Sequence, residues 1–87
     1  MANVIITFKI MPEGVDTDLD KLEKEIESKL TGEFKKERED IAFGLKALKI
    51  IFVWDEEKGS ADSLEEEIRN LDGVKSIEVV DVRRAIG

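Results

Sequence analysis

Neither cysteine nor histidine occurs among the 87 residues. Together the two absences remove disulfides, cluster ligation, thiolate and imidazole catalysis and the usual zinc sites. An excess of positive charge is missing too: 14 lysines and arginines face 21 aspartates and glutamates, for a net charge of -7. Such a chain repels a polyanion instead of supplying the cationic field that phosphate binding needs, so direct nucleic-acid binding is disfavoured. No apolar run reaches membrane length, and the start "MANVIITFKIMPEG" has too short an apolar stretch and no basic leader for a signal peptide. A soluble cytoplasmic protein is expected. The sequence contains no G-x-x-x-x-G-K-[ST] loop and no G-x-G-x-x-G fingerprint, so neither nucleotide binding by the chain nor a cofactor is expected. An aromatic platform of the ribonucleoprotein type is lacking as well.

The length argues for one domain, spanning 1–87. A chain of this size buries only roughly 60 to 68% of its unfolded surface, which leaves little room for a deep cleft. A binding surface is expected in place of a catalytic pocket. The acidic balance suits docking against a basic surface of another protein, and its plainer reading is solubility.

Periodicity supplies the elements. In "NVIITFKI", Val4, Ile6, Phe8 and Ile10 share one strand face, and Ile5, Thr7 and Lys9 the other. After "MPEG", Leu19, Leu22, Ile26 and Leu30 recur at helical spacing; Thr17 with Asp20 fits a capping box, and Gly32 a stop. "EFKKERED" reads as a charged edge strand. "KALKIIFVW" then places Leu48, Ile50, Phe52 and Trp54 opposite Ala47, Lys49, Ile51 and Val53, apolar enough on both faces for a central strand. Ser60 or Asp62 can cap a second helix carrying Ala61, Leu64, Ile68 and Leu71, with Gly73 at its C-terminal end. In "VKSIEVVDVRR" the apolar alternation slips between Val79 and Val80, which predicts a bulge or an irregular end of the strand.

Strand, helix, strand, strand, helix, strand is the pattern of an α+β, ferredoxin-like βαββαβ sandwich. Right-handed crossovers put both helices on one face of a four-stranded antiparallel sheet. The open face would carry Ile5, Thr7, Lys9, Ala47, Lys49, Ile51 and Val53, more apolar than a solvated face requires. A partner, or a second copy of the chain, would cover it equally well.

Several clusters have competing readings. Asp16, Asp18, Asp20 and Glu27 fall at calcium-loop positions, but Lys21 stands where the loop needs glycine, and the helical stripe runs through the segment. Asp55, Glu56 and Glu57 read as a solvated turn. Arg83 and Arg84 either close surface ion pairs, worth roughly 0 to 1 kcal/mol each, or present arginine forks to a partner. Phe43, next to Gly44 in a hairpin connection, either folds back over the core or projects as an anchor; the residues alone favour the first.

"DIAFGLKALKIIFVWDEE", with "VKSIEVVDVRRAIG" and the opening "VIITFKIMPEGVDTDLDKLEKEI", closely resembles the archaeal translation elongation factor 1-beta family over essentially the whole chain. The resemblance implies a guanine-nucleotide exchange factor without bond chemistry of its own. Its partner would be the elongation factor 1-alpha GTPase, GDP-bound and nucleotide-free, wedged open near its magnesium and phosphate site. It also implies that Phe43, in the "FG" turn with Gly44 and Leu45, projects into a pocket of the partner, and it places Asp81 in the family's C-terminal "DV" step; Arg83 and Arg84 are candidate partner contacts by their own chemistry, and neither aligns with a functional residue of the family. Eukaryotic relatives end in a lysine that reaches the magnesium site; aligned through Asp81 and Val82, that position is Gly87 here. Two other classes compete. One is a regulatory or ligand-binding module dimerising through the open sheet face. The other is an acylphosphatase-type enzyme, against which stands the acidic "MPEGVDTD" where a phosphate loop with arginine would be needed.

Overall fold

The computed structural model describes residues 3–30 and 32–84. Four strands form one antiparallel sheet in the order β2-β3-β1-β4, from β1 (Asn3–Pro12), β2 (Phe34–Ala42), β3 (Leu45–Asp55) and β4 (Val74–Arg84). Helices α1 (Leu19–Glu27) and α2 (Asp62–Arg69) connect them, giving the ferredoxin-like βαββαβ arrangement. The core follows from strand parity. Val4, Ile6, Phe8 and Ile10 of β1 and Leu48, Ile50 and Phe52 of β3 meet Leu22 and Ile26 of α1 and Leu64 and Ile68 of α2. Both helices therefore cover the same face. Phe8 and Phe52 pack edge to face at 5.0 Å, and Phe52 leads to Trp54 at 6.3 Å. The indole N–H donates to the Gly59 carbonyl at 2.9 Å, which satisfies its polar end.

The helix ends depart from the expected caps. Asp18, with an extended backbone, caps α1 by accepting from the Lys21 N–H at 3.1 Å. The Thr17 hydroxyl turns back to accept from the Gly14 N–H, so it is unavailable for capping. The first helix stops at Glu27 with Ser28 as C-cap, well before Gly32. Ala61 occupies the N-cap of α2 without a side-chain bond, while Ser60 Oγ accepts from the Asp62 N–H at 3.0 Å. Asn70, not Gly73, closes α2; Gly73 lies in the following turn, where Val74 N–H donates to the Leu71 carbonyl.

The charged segment is edge strand β2, exposed along its length. An ion-pair network fixes it to α1. Arg38 donates to Glu23 at 2.9 Å and to Asp20 at 2.6 Å, and Lys36 lies 2.7 Å from Glu27 and 3.6 Å from Glu23. Glu23 is 7% exposed, a buried carboxylate whose partners come from the neighbouring strand. Asp18, Asp20 and Glu27, candidates for a calcium loop in the sequence, are thus engaged in a cap and in ion pairs.

The slip in β4 is real. Thr7 pairs with Asp81 but Phe8 pairs with Val79, so Val80 is an extra residue and the strand bulges. After the bulge, Asp81 and Arg83 share the open face with Thr7 and Ile5, while Val82 and Arg84 lie on the helix side opposite Ile6 and Val4.

The open face is less apolar than its sequence suggests. Glu37, Lys49, Lys9 and Glu78 are in register, one on each strand, forming a charged belt across it. Lys9 also reaches Glu39 at 3.4 Å, spanning β3, where Ala47 faces Glu39 in register and is fully buried. Ile5, Ile51 and Val53 are only partly exposed. The large exposed apolar side chains among the described residues lie elsewhere, at Val15, Phe34, Ile41, Phe43 and along β4. A dimer through the open face consequently has less apolar surface to bury than the alternation implies.

Candidate functional site

Ala42 and Leu45 pair as the last rung of the β2–β3 ladder, leaving Phe43 and Gly44 as a two-residue hairpin loop. Phe43 has φ 52° and Gly44 φ 80°. Positive φ at both central residues is the signature of a type I′ turn, whose twist matches that of the flanking strands. Glycine suits the second position. The first normally takes asparagine, aspartate or glycine, and a bulky side chain there sits in the left-handed region at a cost of about 1–2 kcal/mol. Phe43 is the sole non-glycine residue with positive φ among the described residues, and its side chain is 100% exposed. The fold-back over the core that the residues alone favoured does not occur. The ring recovers none of its backbone strain by packing within the chain.

Two features surround the hairpin tip that sequence reasoning missed. Ile41, the extra residue of a second bulge between Asp40 and Ala42, is 40% exposed. Val15, from the β1–α1 connection, is 63% exposed, and its Cγ1 lies 3.9 Å from the position a Cβ on Gly44 would take. A valine isolated in the polar run "MPEGVDTD" is the one local signal that could have flagged it.

Asp81, Arg83 and Arg84 are not part of this cluster. Arg83 pairs with Ile5, which pairs with Val53, eight residues along β3 from Leu45. At about 3.3 Å per residue the two groups are roughly 26 Å apart, near opposite ends of a molecule 42 Å long. Arg83 donates to Asp81 at 2.8 Å, and Arg84 approaches Glu56 at 3.9 Å from the other face of the sheet. Both arginines are therefore ion-paired at the surface and point to opposite sides. Gly87 lies outside the described residues.

Among the titratable groups, the hydrogen bond that Lys36 donates to Glu27 and the field of Glu27 and Glu23 hold Lys36 above the ordinary lysine range. Glu23 and then Asp20 likewise raise Arg38. These shifts belong to the α1–β2 network. Among the described residues, no helix is long and apolar enough to cross a membrane.

Residues 5–85 match the family described as the EF-1 guanine nucleotide exchange domain. The chain is 42% identical to elongation factor 1-beta of Methanothermobacter thermautotrophicus, across 97% of this chain and 98% of that protein. It is 45% identical to elongation factor 1-beta of Metallosphaera sedula, with 97% of each covered. The corresponding protein of Saccharolobus solfataricus is 42% identical over the same shares.

Proposed function

The chain belongs to the EF-1 guanine nucleotide exchange domain family, and on that premise we propose that it promotes exchange of GDP for GTP on the elongation factor 1-alpha GTPase by inserting Phe43 into a pocket of that partner. The observation that carries this reading is the fully exposed aromatic in a left-handed backbone conformation. Strain held at a position with no internal contact to compensate it points to a role outside the chain.

The mechanism involves no bond chemistry. A GTPase of this kind holds GDP through magnesium and its phosphate loop. A protein that binds the nucleotide-free form more tightly than the loaded form weakens nucleotide affinity by the same factor, because the coupling is reciprocal. Each 1.4 kcal/mol or so removed from the release barrier speeds GDP loss about tenfold. Burial of one phenylalanine, worth roughly 1.5–3 kcal/mol, is the right scale for such a contact. Gly44 and Leu45 act by fixing the turn that presents the ring. Asp81, Arg83 and Arg84, at the far end, would form a separate contact, and no magnesium-displacing role is assigned to them.

Release of fluorescent GDP from archaeal elongation factor 1-alpha, with unlabelled nucleotide in excess, tests the proposal. The wild-type chain should accelerate release and a folded Phe43→Ala variant should not. Absence of acceleration by the wild type would refute the exchange reading. Unchanged acceleration by the Arg83→Ala/Arg84→Ala double variant would remove both arginines from the contact.

A further inference from the structure

The hairpin tip is one half of a composite surface. Val15 occupies a four-residue turn, Gly14 to Thr17, closed by the Thr17 N–H donating to the Gly14 carbonyl at 3.2 Å. The Gly14 N–H returns a bond to Thr17 Oγ1, also at 3.2 Å. The Glu13 N–H donates to the Gly73 carbonyl at 2.9 Å, tying the turn to the α2–β4 connection. Gly73 is left-handed, with φ 92°, and a Cβ there would stand 3.0 Å from Thr17 Cγ2. The two connections thus approach closely enough that a side chain at Gly73 would crowd Thr17. A turn braced in this way has no need of an exposed valine for its own stability, since a polar residue would serve the same backbone.

Beside the Val15 turn the charge is negative. Glu13, Asp16, Asp18 and Asp72 line a shallow concavity beside the turn, with Lys21 as its one cation. Asp16 makes no hydrogen bond or ion pair among the described residues. An apolar tip with an acidic collar complements an apolar pocket with a basic rim, the arrangement in which rim charges steer encounter and the buried group sets residence.

We propose that the β1–α1 turn is a second docking element, with Val15 entering the same partner pocket region as Phe43 and the acidic collar, Asp16 foremost, facing lysines or arginines on the rim of that pocket. This rests on the exchange reading above and adds to it the chemistry of the partner surface. Loss of two methyl groups at a fully buried contact weakens affinity by about fifteenfold. Binding of the full chain to nucleotide-free elongation factor 1-alpha should therefore weaken by that factor in Val15→Ala and further in Val15→Asp. Asp16→Lys should slow association and flatten its dependence on salt. Thermal melts of each variant report whether the fold is retained, and Val15→Ala, at a largely exposed position, keeps the test open if the aspartate variant unfolds. Wild-type affinity in Val15→Ala, and wild-type salt dependence in Asp16→Lys, alongside a weakened Phe43→Ala would overturn this proposal and leave the exchange reading standing. No binding or exchange by the wild type would overturn both.

Discussion

Replacing Phe43 with asparagine should make the protein more stable and less active at once. The ring is fully exposed, so its removal forfeits no internal burial. Its backbone has φ 52°, and asparagine is far better tolerated there, completing the Asn-Gly pair that two-residue hairpins prefer. Relief of about 1 kcal/mol is expected from the left-handed cost of a bulky residue. In a domain of this size that raises the melting temperature by roughly 4–8 °C. Denaturant unfolding should show a higher midpoint at constant slope, as befits a change in strain without change in buried surface. Phe43→Ala serves as the control, because alanine keeps most of the strain and should melt within a degree or two of wild type. Both variants lose the anchor, and GDP release should slow about ten- to a hundredfold toward the unassisted rate. An asparagine variant that melts at or below the wild-type temperature would show that the ring packs against the chain in solution, and the argument from uncompensated strain would fail.

Other perturbations separate fold from function. Arg38→Ala leaves the buried Glu23 carboxylate with Lys36 as its remaining partner; since the arginine is itself 38% exposed, a loss of about 1–2 kcal/mol is expected in denaturant titration, not the larger penalty of a fully buried pair. Lys36 is raised by Glu27 and Glu23, so its pairing stabilises the fold fully below the unfolded lysine value of about 10.4 and is lost as pH rises through the higher folded value. Melting curves in alkaline buffer should accordingly fall later for Lys36→Arg, whose charge persists. Gly73→Ala combines a positive φ with a contact at 3.0 Å and should destabilise by about 1–2 kcal/mol. It should also displace the Val15 turn, visible as shifted amide resonances at Glu13 and Thr17.

Most of the sheet was legible because parity carries it. Val4 to Ile10 and Leu48 to Trp54 alternate without interruption, and the break of that alternation at Val79 and Val80 marked the bulge correctly. Helix caps were less legible, because Thr17 and Asp18 are both competent and the choice depends on a turn bond from Gly14 that a linear pattern does not contain. The candidate site was half visible. Phe43 could be singled out from its neighbour Gly44, but its direction is set by the sign of φ in the hairpin. Val15 is brought to it only by tertiary contact between connections 28 residues apart in the chain. The open face was misjudged for a related reason. Alternation places Lys9, Lys49 and Ala47 on it without showing that Lys9 spans β3 to reach Glu39.

The extra residue at Val80 acts as a parity switch for the last residues of β4, Asp81 to Arg84. Counting straight from Ile77, Asp81 and Arg83 would fall on the helix side; the bulge moves them to the opposite surface and puts Val82 and Arg84, both exposed, on the helix side. Which way a terminal side chain faces is therefore decided by how many residues precede it, independent of their identities. Two relatives with the same final letters but differing by this single residue would offer mirror arrangements of charge to a partner. For this part of the chain, correspondence between relatives is a matter of surface first and of letters second.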